Sequence, residues 1–312
     1  MNEPESERGY GGNSPKVLAK NIYNYSEDEI KKDLEMLFTC KALTPLSKRG
    51  LKFINFFTAG ERLHTRTKRS KHLNFFEWYD RRREWIQRNY VKRMDEHYCG
   101  LSLDDDRDVK KWFRIFALYF GGTVGIFRPS ITKNTITEFG GKNILDFTMG
   151  WGGRLLGACA AGVETYTGID SNTNLIEPYK KMVDIIYQNQ SNKTVINLIF
   201  DDCLNVQYQN LHYDMVFTSP PYYDIEVYSN QNHVSDKKYY DEHFYKPIIE
   251  KTYKYLIQGG HYCININKIV YEKVLKEILG EPFLSIPLNI YGRNINNRQP
   301  EYTEFIYVWK KM

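Results

Sequence analysis

Asn143-Ile-Leu-Asp-Phe-Thr-Met-Gly-Trp-Gly-Gly-Arg-Leu-Leu-Gly157 is the stretch whose reading decides the fold. A short apolar strand, Ile144-Leu145, runs into Asp146 and then into a turn with Gly150, Gly152 and Gly153. An apolar, small-residue helix follows from Leu155 to Ala161. In a doubly wound sheet this is the first strand–loop–helix, and ligands sit outside the carboxyl ends of the strands. The glycines let the backbone approach a ligand closely, and the helix N-terminus favours a carboxylate or phosphate. A turn of this kind could serve a dinucleotide, but the usual G-x-G-x-x-G spacing is absent. It does not resemble a P-loop either, having no Gly-Lys-Ser/Thr.

Three further segments repeat the pattern of an apolar run ending in a polar residue. Thr165-Tyr-Thr-Gly-Ile-Asp170 ends in an acid that suits two ribose hydroxyls, because a carboxylate can accept both bonds. Val195-Ile-Asn-Leu-Ile-Phe200 ends in Asp201-Asp202-Cys203, where Asp202 is placed to accept from the amine of an adenine. Tyr213-Asp-Met-Val-Phe217 ends in Thr218-Ser219-Pro220-Pro221-Tyr222. Four such elements in order are hard to obtain by chance.

The last of them carries chemistry. An exocyclic amine of a nucleobase is a poor nucleophile, because its lone pair is delocalised into the ring. The Ser219 oxygen and the Pro220 carbonyl could accept its two N–H bonds and localise that lone pair. Pro220 and Pro221 lock φ and aim the carbonyl inward, and Tyr222 offers a ring face on which a flipped base stacks. The bland alternative is an ordinary strand-ending Pro-Pro turn.

On these residues the sequence resembles the S-adenosylmethionine-dependent amino-methyltransferases of nucleic acids, from about Phe127 to the C-terminus. Asp146-x-x-x-Gly150-x-Gly152-Gly153 corresponds to the family's methionine loop, Asp170 to its ribose acid and Asp202 to its adenine-binding acid. Ser219-Pro220-Pro221-Tyr222 corresponds to the catalytic motif. Phe127-Arg128-Pro129-Ser130 is similar to a further cofactor element near the methionine carboxylate. The resemblance thus assigns Phe127, Pro129, Asp146, Thr148, Gly150, Gly152, Asp170 and Asp202 to the cofactor, and no residue to a metal. The whole chain is also similar to methyltransferase-like proteins of large DNA viruses and phages. Phe147-Thr148 stands where the family usually carries Pro-Phe, so packing beneath the cofactor differs. The cofactor loop precedes the catalytic motif, which excludes the circularly permuted subgroup. Serine at the first motif position is commoner among cytosine-N4 enzymes.

The implied fold is α/β, a Rossmann-like seven-stranded methyltransferase sheet. The apolar spacing predicts a helix over Asp241–Leu256 and a fifth strand over His261–Ile266. Phe283–Ile290 and Thr303–Trp309 form a closing pair, with Pro287 pointing to a sheet edge. Residues 1–20 read as a disordered tail, 21–125 as a basic, mainly α-helical domain and 126–312 as the methyltransferase domain. Helices are expected from Ser26 to Leu37 and from Asp108 to Phe120.

Charge is uneven. Between Leu43 and Met94 there are 14 Lys/Arg against 4 Asp/Glu, whereas the whole chain carries only +5, so the remainder is net negative. Arg66, Lys68, Arg69, Lys71, Arg81, Arg82 and Arg83, interleaved with aromatics, suit contact with a polyanion. Phe75, Phe76, Trp78 and Tyr79 themselves read better as the core of a helical domain. Five scattered cysteines without a C-x-x-C argue for a reducing compartment and against zinc. No apolar run of about 18 residues suggests a membrane span.

The expected activity is methyl transfer from S-adenosylmethionine to an exocyclic amine of a base, in DNA ahead of RNA and at cytosine N4 ahead of adenine N6. The expected setting is intracellular, in cytoplasm or nucleus, with a viral source, a homo-oligomer or a partner subunit left open. Competing readings are an RNA amino-methyltransferase and a non-catalytic nucleic-acid-binding subunit that keeps the fold.

Overall fold

The computed structural model describes residues 14–41, 43–45, 47–68, 70–85, 109–120, 124–190, 194–223, 226–227, 236–288 and 304–312. Arg69 and the side chain of Arg83 lie outside the described residues. The chain divides into two compact units. One comprises Met1–Ser26, Asn55–Gly125 and Asp224–His233; the other comprises Glu27–Ile54, Ile126–Tyr223 and Val234–Met312.

The first unit is mainly helical. Helix Pro15–Ile22 falls partly within the stretch read from sequence as a tail. Ser14 accepts from the Val17 N–H, proline opens the first turn, and Leu18, Ala19 and Ile22 are buried on one face. Phe75–Asp80 is fixed by a capping box in which Asn74 and Glu77 satisfy each other's backbone N–H. Helix Val109–Ile115 continues through a wider π turn, Phe116–Phe120. Phe75, Phe76, Trp78 and Tyr79 are buried with Trp112, Ile115 and Phe116, so these aromatics make the unit's own core. Arg66–Thr67 pairs antiparallel with Glu226–Val227 in a two-residue ribbon.

The second unit is built on a mixed seven-stranded sheet. Its strands are β1 (Asn143–Asp146), β2 (Thr165–Ile169), β3 (Val195–Ile199), β4 (Met215–Thr218), β5 (His261–Asn267), β6 (Leu284–Pro287) and β7 (Glu304–Lys310). Their order is β3-β2-β1-β4-β5-β7-β6. The first five are parallel, β7 runs antiparallel to β5, and β6 antiparallel to β7. This is the expected Rossmann-like α/β sheet, with Pro287 on its outermost strand, where no ladder bond is lost. After β3 the chain returns to the far side of β1, so the strand order reverses between β1 and β4. A crevice forms at such a switch point, outside the carboxyl ends of the strands.

Glycine brings two helices together beside that point. A Cβ added at Gly153 would stand 1.9 Å from the Phe127 carbonyl oxygen. At Gly157 it would stand 2.5 Å from the Pro129 carbonyl oxygen and 2.4 Å from Thr132 Cβ. Helix Gly153–Ala161 therefore lies against the 127–132 backbone at van der Waals limits. Among the described residues no helix is long and apolar enough to cross a membrane.

Candidate active site

β1 delivers Asp146 to a fully buried position. Its Oδ2 accepts from Arg154 Nε at 2.8 Å and from the Tyr166 hydroxyl at 2.8 Å. Its Oδ1 accepts from Thr218 Oγ1 at 2.9 Å and from the Thr148 N–H at 3.4 Å. Arg154, 6 % exposed, also donates to the Thr148 carbonyl, and its guanidinium lies 5.5 Å from the Phe127 ring centroid. Asp146 thus braces the turn from beneath, and these carboxylate bonds are all internal.

The turn itself is held from three sides. Gly150 and Gly152 have φ of 59° and 93°, a conformation that side chains resist. The Gly150 N–H donates to Asp170 Oδ2 at 2.8 Å, and the Tyr179 hydroxyl donates to the Gly150 carbonyl at 2.9 Å. Thr148 Oγ1 lies 2.7 Å from Thr218 Oγ1, the residue immediately before Ser219. The turn after β1 is therefore bonded both to the acid after β2 and to the last residue of β4.

Asp170 accepts from the Asn172 N–H at 2.9 Å as well as from Gly150. Burial pushes its carboxyl up to about 6, although the two backbone N–H bonds oppose the shift. Each oxygen keeps a second lone pair for a ligand. Asp202 is exposed and accepts from the Leu204 N–H at 2.9 Å. Phe127 and Pro129 line the face of the helix that begins at Gly153, and Phe127 packs edge-on against Phe217 of β4 at 5.7 Å.

At the end of β4, Ser219, Pro221 and Tyr222 are half-buried and Pro220 is buried. Ser219 Oγ donates to Asn265 Oδ1 at 3.0 Å, and the Tyr222 hydroxyl donates to the same oxygen at 2.9 Å. The Tyr245 hydroxyl donates to the Pro221 carbonyl. Among the described residues nothing donates to the Pro220 carbonyl. Tyr223 closes the segment with φ of 49°, strained for an aromatic residue, and its hydroxyl donates to Asp241 at 2.8 Å.

Asn265, Arg154, Tyr179 and Tyr245 were not singled out from sequence. Only Asn265 leaves a signal there, as a carboxamide inside the apolar run Tyr262–Ile266. Thr218 of β4 is in register with Ile264, so Asn265 lies one step on, alongside Ser219.

The basic residues of the first unit differ in exposure. Arg66 is paired with Glu77 at 2.6 Å, and Arg81 with Glu84 at 2.8 Å. Arg82 is 7 % exposed, donates to the Tyr79 carbonyl and lies 4.1 Å from the Tyr79 ring centroid. Lys68 and Lys71 are exposed. Among the described residues no cluster of three His, Cys, Asp or Glu could hold a metal ion. Cys159, Cys203 and Cys263 are buried, Cys263 completely, as expected of a core filler.

No protein-family profile matches the chain, and no curated protein matches it. Among solved structures it is similar to SMU.776, assigned as a methyltransferase and solved with SAH. That match has a TM-score of 0.43 and 14 % identity, and covers 61 % of this chain and 50 % of the other. It is also similar to an rRNA methylase from Streptococcus thermophilus, with a TM-score of 0.40, 15 % identity and 61 % and 100 % coverage. A third is the tRNA m1G37 methyltransferase of M. jannaschii, with a TM-score of 0.38, 16 % identity and 60 % and 51 % coverage. The match thus spans half the length of SMU.776.

Proposed function

We propose that the chain is an S-adenosylmethionine-dependent methyltransferase acting on an exocyclic amine of a base in nucleic acid. DNA is favoured over RNA, and cytosine N4 over adenine N6. The observation that carries this reading is the physical joining of the two motifs. Gly150 is bonded to Asp170 on one side of the turn, and Thr148 to Thr218 on the other. A methyl donor held by the first pair would lie beside an acceptor held at Ser219.

The residues fit such a cofactor. Asp170 keeps acceptor capacity on both oxygens for a ribose diol. The left-handed Gly150 and Gly152 and the bare Gly153 keep side chains out of the turn, and Asp202 is exposed for an adenine amine. When bound, S-adenosylmethionine supplies an electrophilic methyl group on a sulfonium.

The chain's own contribution is alignment. Ser219 Oγ and the Pro220 carbonyl accept the two N–H bonds of the amine, localise its lone pair and stabilise the positive charge that grows on nitrogen. The Tyr222 ring supports the base by stacking. The amine sheds its proton as its new bond forms or afterwards, so no strong base is required. Lys68, Lys71, Arg69 and Arg83 supply phosphate contact in this reading, together with Arg66, Arg81 and Arg82.

The test is incubation with methyl-labelled S-adenosylmethionine and, separately, duplex DNA, single-stranded DNA and total RNA. Each is then digested to nucleosides and the labelled species identified by mass spectrometry. N4-methylcytosine or N6-methyladenine in DNA is the expected product. Label confined to RNA would move the substrate and keep the chemistry. Absence of labelled base from all three pools would sink the proposal.

Cofactor affinity should also depend on acidity. Asp170 accepts ribose hydroxyls as a carboxylate, so affinity is full above pH 6 and declines as pH falls through about 6, where the carboxyl protonates. Asp170→Asn should weaken binding roughly 10- to 100-fold, the value of hydrogen bonds to a charged acceptor, and flatten that pH dependence. Calorimetric titration with S-adenosylhomocysteine between pH 5 and pH 8 would check both; an unchanged acid limb in the variant would remove Asp170 from the ribose site.

A further inference from the structure

We propose that Asn265 is the positioning residue that makes Ser219 an acceptor-only group, and that it thereby lets the site distinguish an amino group from an oxo group on the base. This rests on the amino-methyltransferase reading above and adds to it a residue outside both motifs.

Asn265 is 2 % exposed on β5, between Ile264 and Ile266, which are both fully buried. A carboxamide in such a place must have its hydrogen bonds met internally. Its Nδ2 donates to the Phe305 carbonyl of β7 at 3.2 Å. That bond decides which way the amide points, since the flipped rotamer would set two acceptor oxygens against each other. With Nδ2 so committed, Oδ1 must face the end of β4. There it accepts from Ser219 Oγ at 3.0 Å and from the Tyr222 hydroxyl at 2.9 Å.

The chemical consequence lies in the protons. A serine hydroxyl is ambivalent, with one donor and two acceptor positions. Once its hydrogen is directed to Asn265 Oδ1, what remains toward the crevice is lone pairs. The Tyr222 hydroxyl, 3.3 Å from Ser219 Oγ, has the Asn265 carboxamide oxygen at 2.9 Å and the Asn265 backbone carbonyl at 3.2 Å. Its hydrogen is thus also drawn toward Asn265. The Pro220 carbonyl is an acceptor by nature. Ser219 and Pro220 together then present two acceptors and no donor.

Two acceptors match an –NH2, which brings two hydrogens. They repel a ring carbonyl, as in thymine, uracil or the six-position of guanine, which brings only lone pairs. Burying unmatched acceptors is penalised more heavily than a good bond is rewarded, so the discrimination is built into the niche. Without Asn265, Ser219 is free to turn its hydrogen toward the ligand, where it competes with the amine's own N–H.

The experiment uses the full chain with a base-bearing nucleic acid that it methylates. Asn265→Leu keeps the branched side-chain skeleton and removes the acceptor. At saturating cofactor kcat should fall roughly 10- to 100-fold, the scale of a small misplacement in a pre-organised site. Affinity for S-adenosylhomocysteine should stay within about twofold, because Ser219 sets the acceptor end and leaves the ribose site alone. The double variant Ser219→Ala/Asn265→Leu should be no slower than Ser219→Ala, since Asn265 acts through that hydroxyl.

Asn265→Asp is the second probe and covers poor folding of the leucine variant. An introduced buried carboxyl titrates above the ordinary carboxylate range. Protonated, it reproduces the amide, its hydroxyl donating to the Phe305 carbonyl and its other oxygen accepting from Ser219; ionised, it sets a charged oxygen against the Phe305 carbonyl and loses that register. The kcat of this variant at saturating cofactor should therefore fall as pH rises and the introduced carboxyl ionises, a dependence that the wild type lacks. If the wild type methylates a base and both variants keep its kcat and pH profile, the inference about Asn265 fails alone. If the wild type methylates no base, the functional reading fails and this inference falls with it.

Discussion

Replacing Arg154 with methionine should destabilise the second unit by about 3–5 kcal/mol, because it strands a buried carboxylate. Asp146 is fully buried and Arg154 is 6 % exposed, so solvent can do little to compensate the loss. The two remaining hydroxyl donors, Tyr166 at 2.8 Å and Thr218 at 2.9 Å, hydrogen-bond to the carboxylate without neutralising it. Asp146→Asn combined with Arg154→Met should be less damaging than Arg154→Met alone, since no bare charge remains. Denaturant unfolding of the full chain measures both. A single variant as stable as the wild type would show that the ion pair is not what closes the turn. The loss also reaches the crevice, because Arg154 holds the Thr148 carbonyl.

Ser219→Ala is the other large effect, and it has the opposite signature. The residue is half-buried, and Asn265 Oδ1 keeps the Tyr222 hydroxyl as a donor, so stability should change little. Methyl transfer should fall on the order of 10²–10³-fold, as for removal of one pre-organised hydrogen-bond partner of a developing charge. Binding of S-adenosylhomocysteine should be nearly unchanged, because none of the residues proposed for the cofactor lies on the segment after β4. Equal loss of binding and turnover would separate Ser219 from the acceptor side of the reaction. Comparing the two variants therefore distinguishes a residue that holds the turn from one that meets the amine.

The sheet was legible in the sequence because parallel strands buried on both faces read as short apolar runs. Each such run ended in a polar residue at the carboxyl end of a strand: Asp146, Asp170, Asp202 and Ser219. Even the edge position of β6 could be read, from Pro287, which no inner strand tolerates. The role of Asp146 was less legible. Its partner Arg154 is eight residues on, across a turn whose closure no local spacing announces, so the acid reads as ligand-facing while its carboxylate is turned inward. Arg82 is a similar case. Between Arg81 and Arg83 it reads as one of three solvated charges, yet its guanidinium is drawn onto Tyr79 within the unit. Asn265 was missed for a related reason. A single amide in an apolar strand has no periodicity, and its importance comes from being in register with β4, a relation between segments some 46 residues apart. Helix Pro15–Ile22 was hidden by the polar, glycine-rich stretch before it, although the Ser14-Pro15 start carries an ordinary cap signal.

The contact of Gly153 and Gly157 with the 127–132 backbone also bears on how this protein can change over generations. Most surface positions can drift one substitution at a time, because a new side chain finds water or flexible neighbours. At these two positions even a methyl group meets main-chain atoms, which cannot turn aside as a side-chain tip does. Heritable variation there is closed to single steps and opens only after the opposing segment has shifted. Residues 127–132 and 153–157 should therefore diversify as one linked block, and a library that randomises either alone should return glycine at both places.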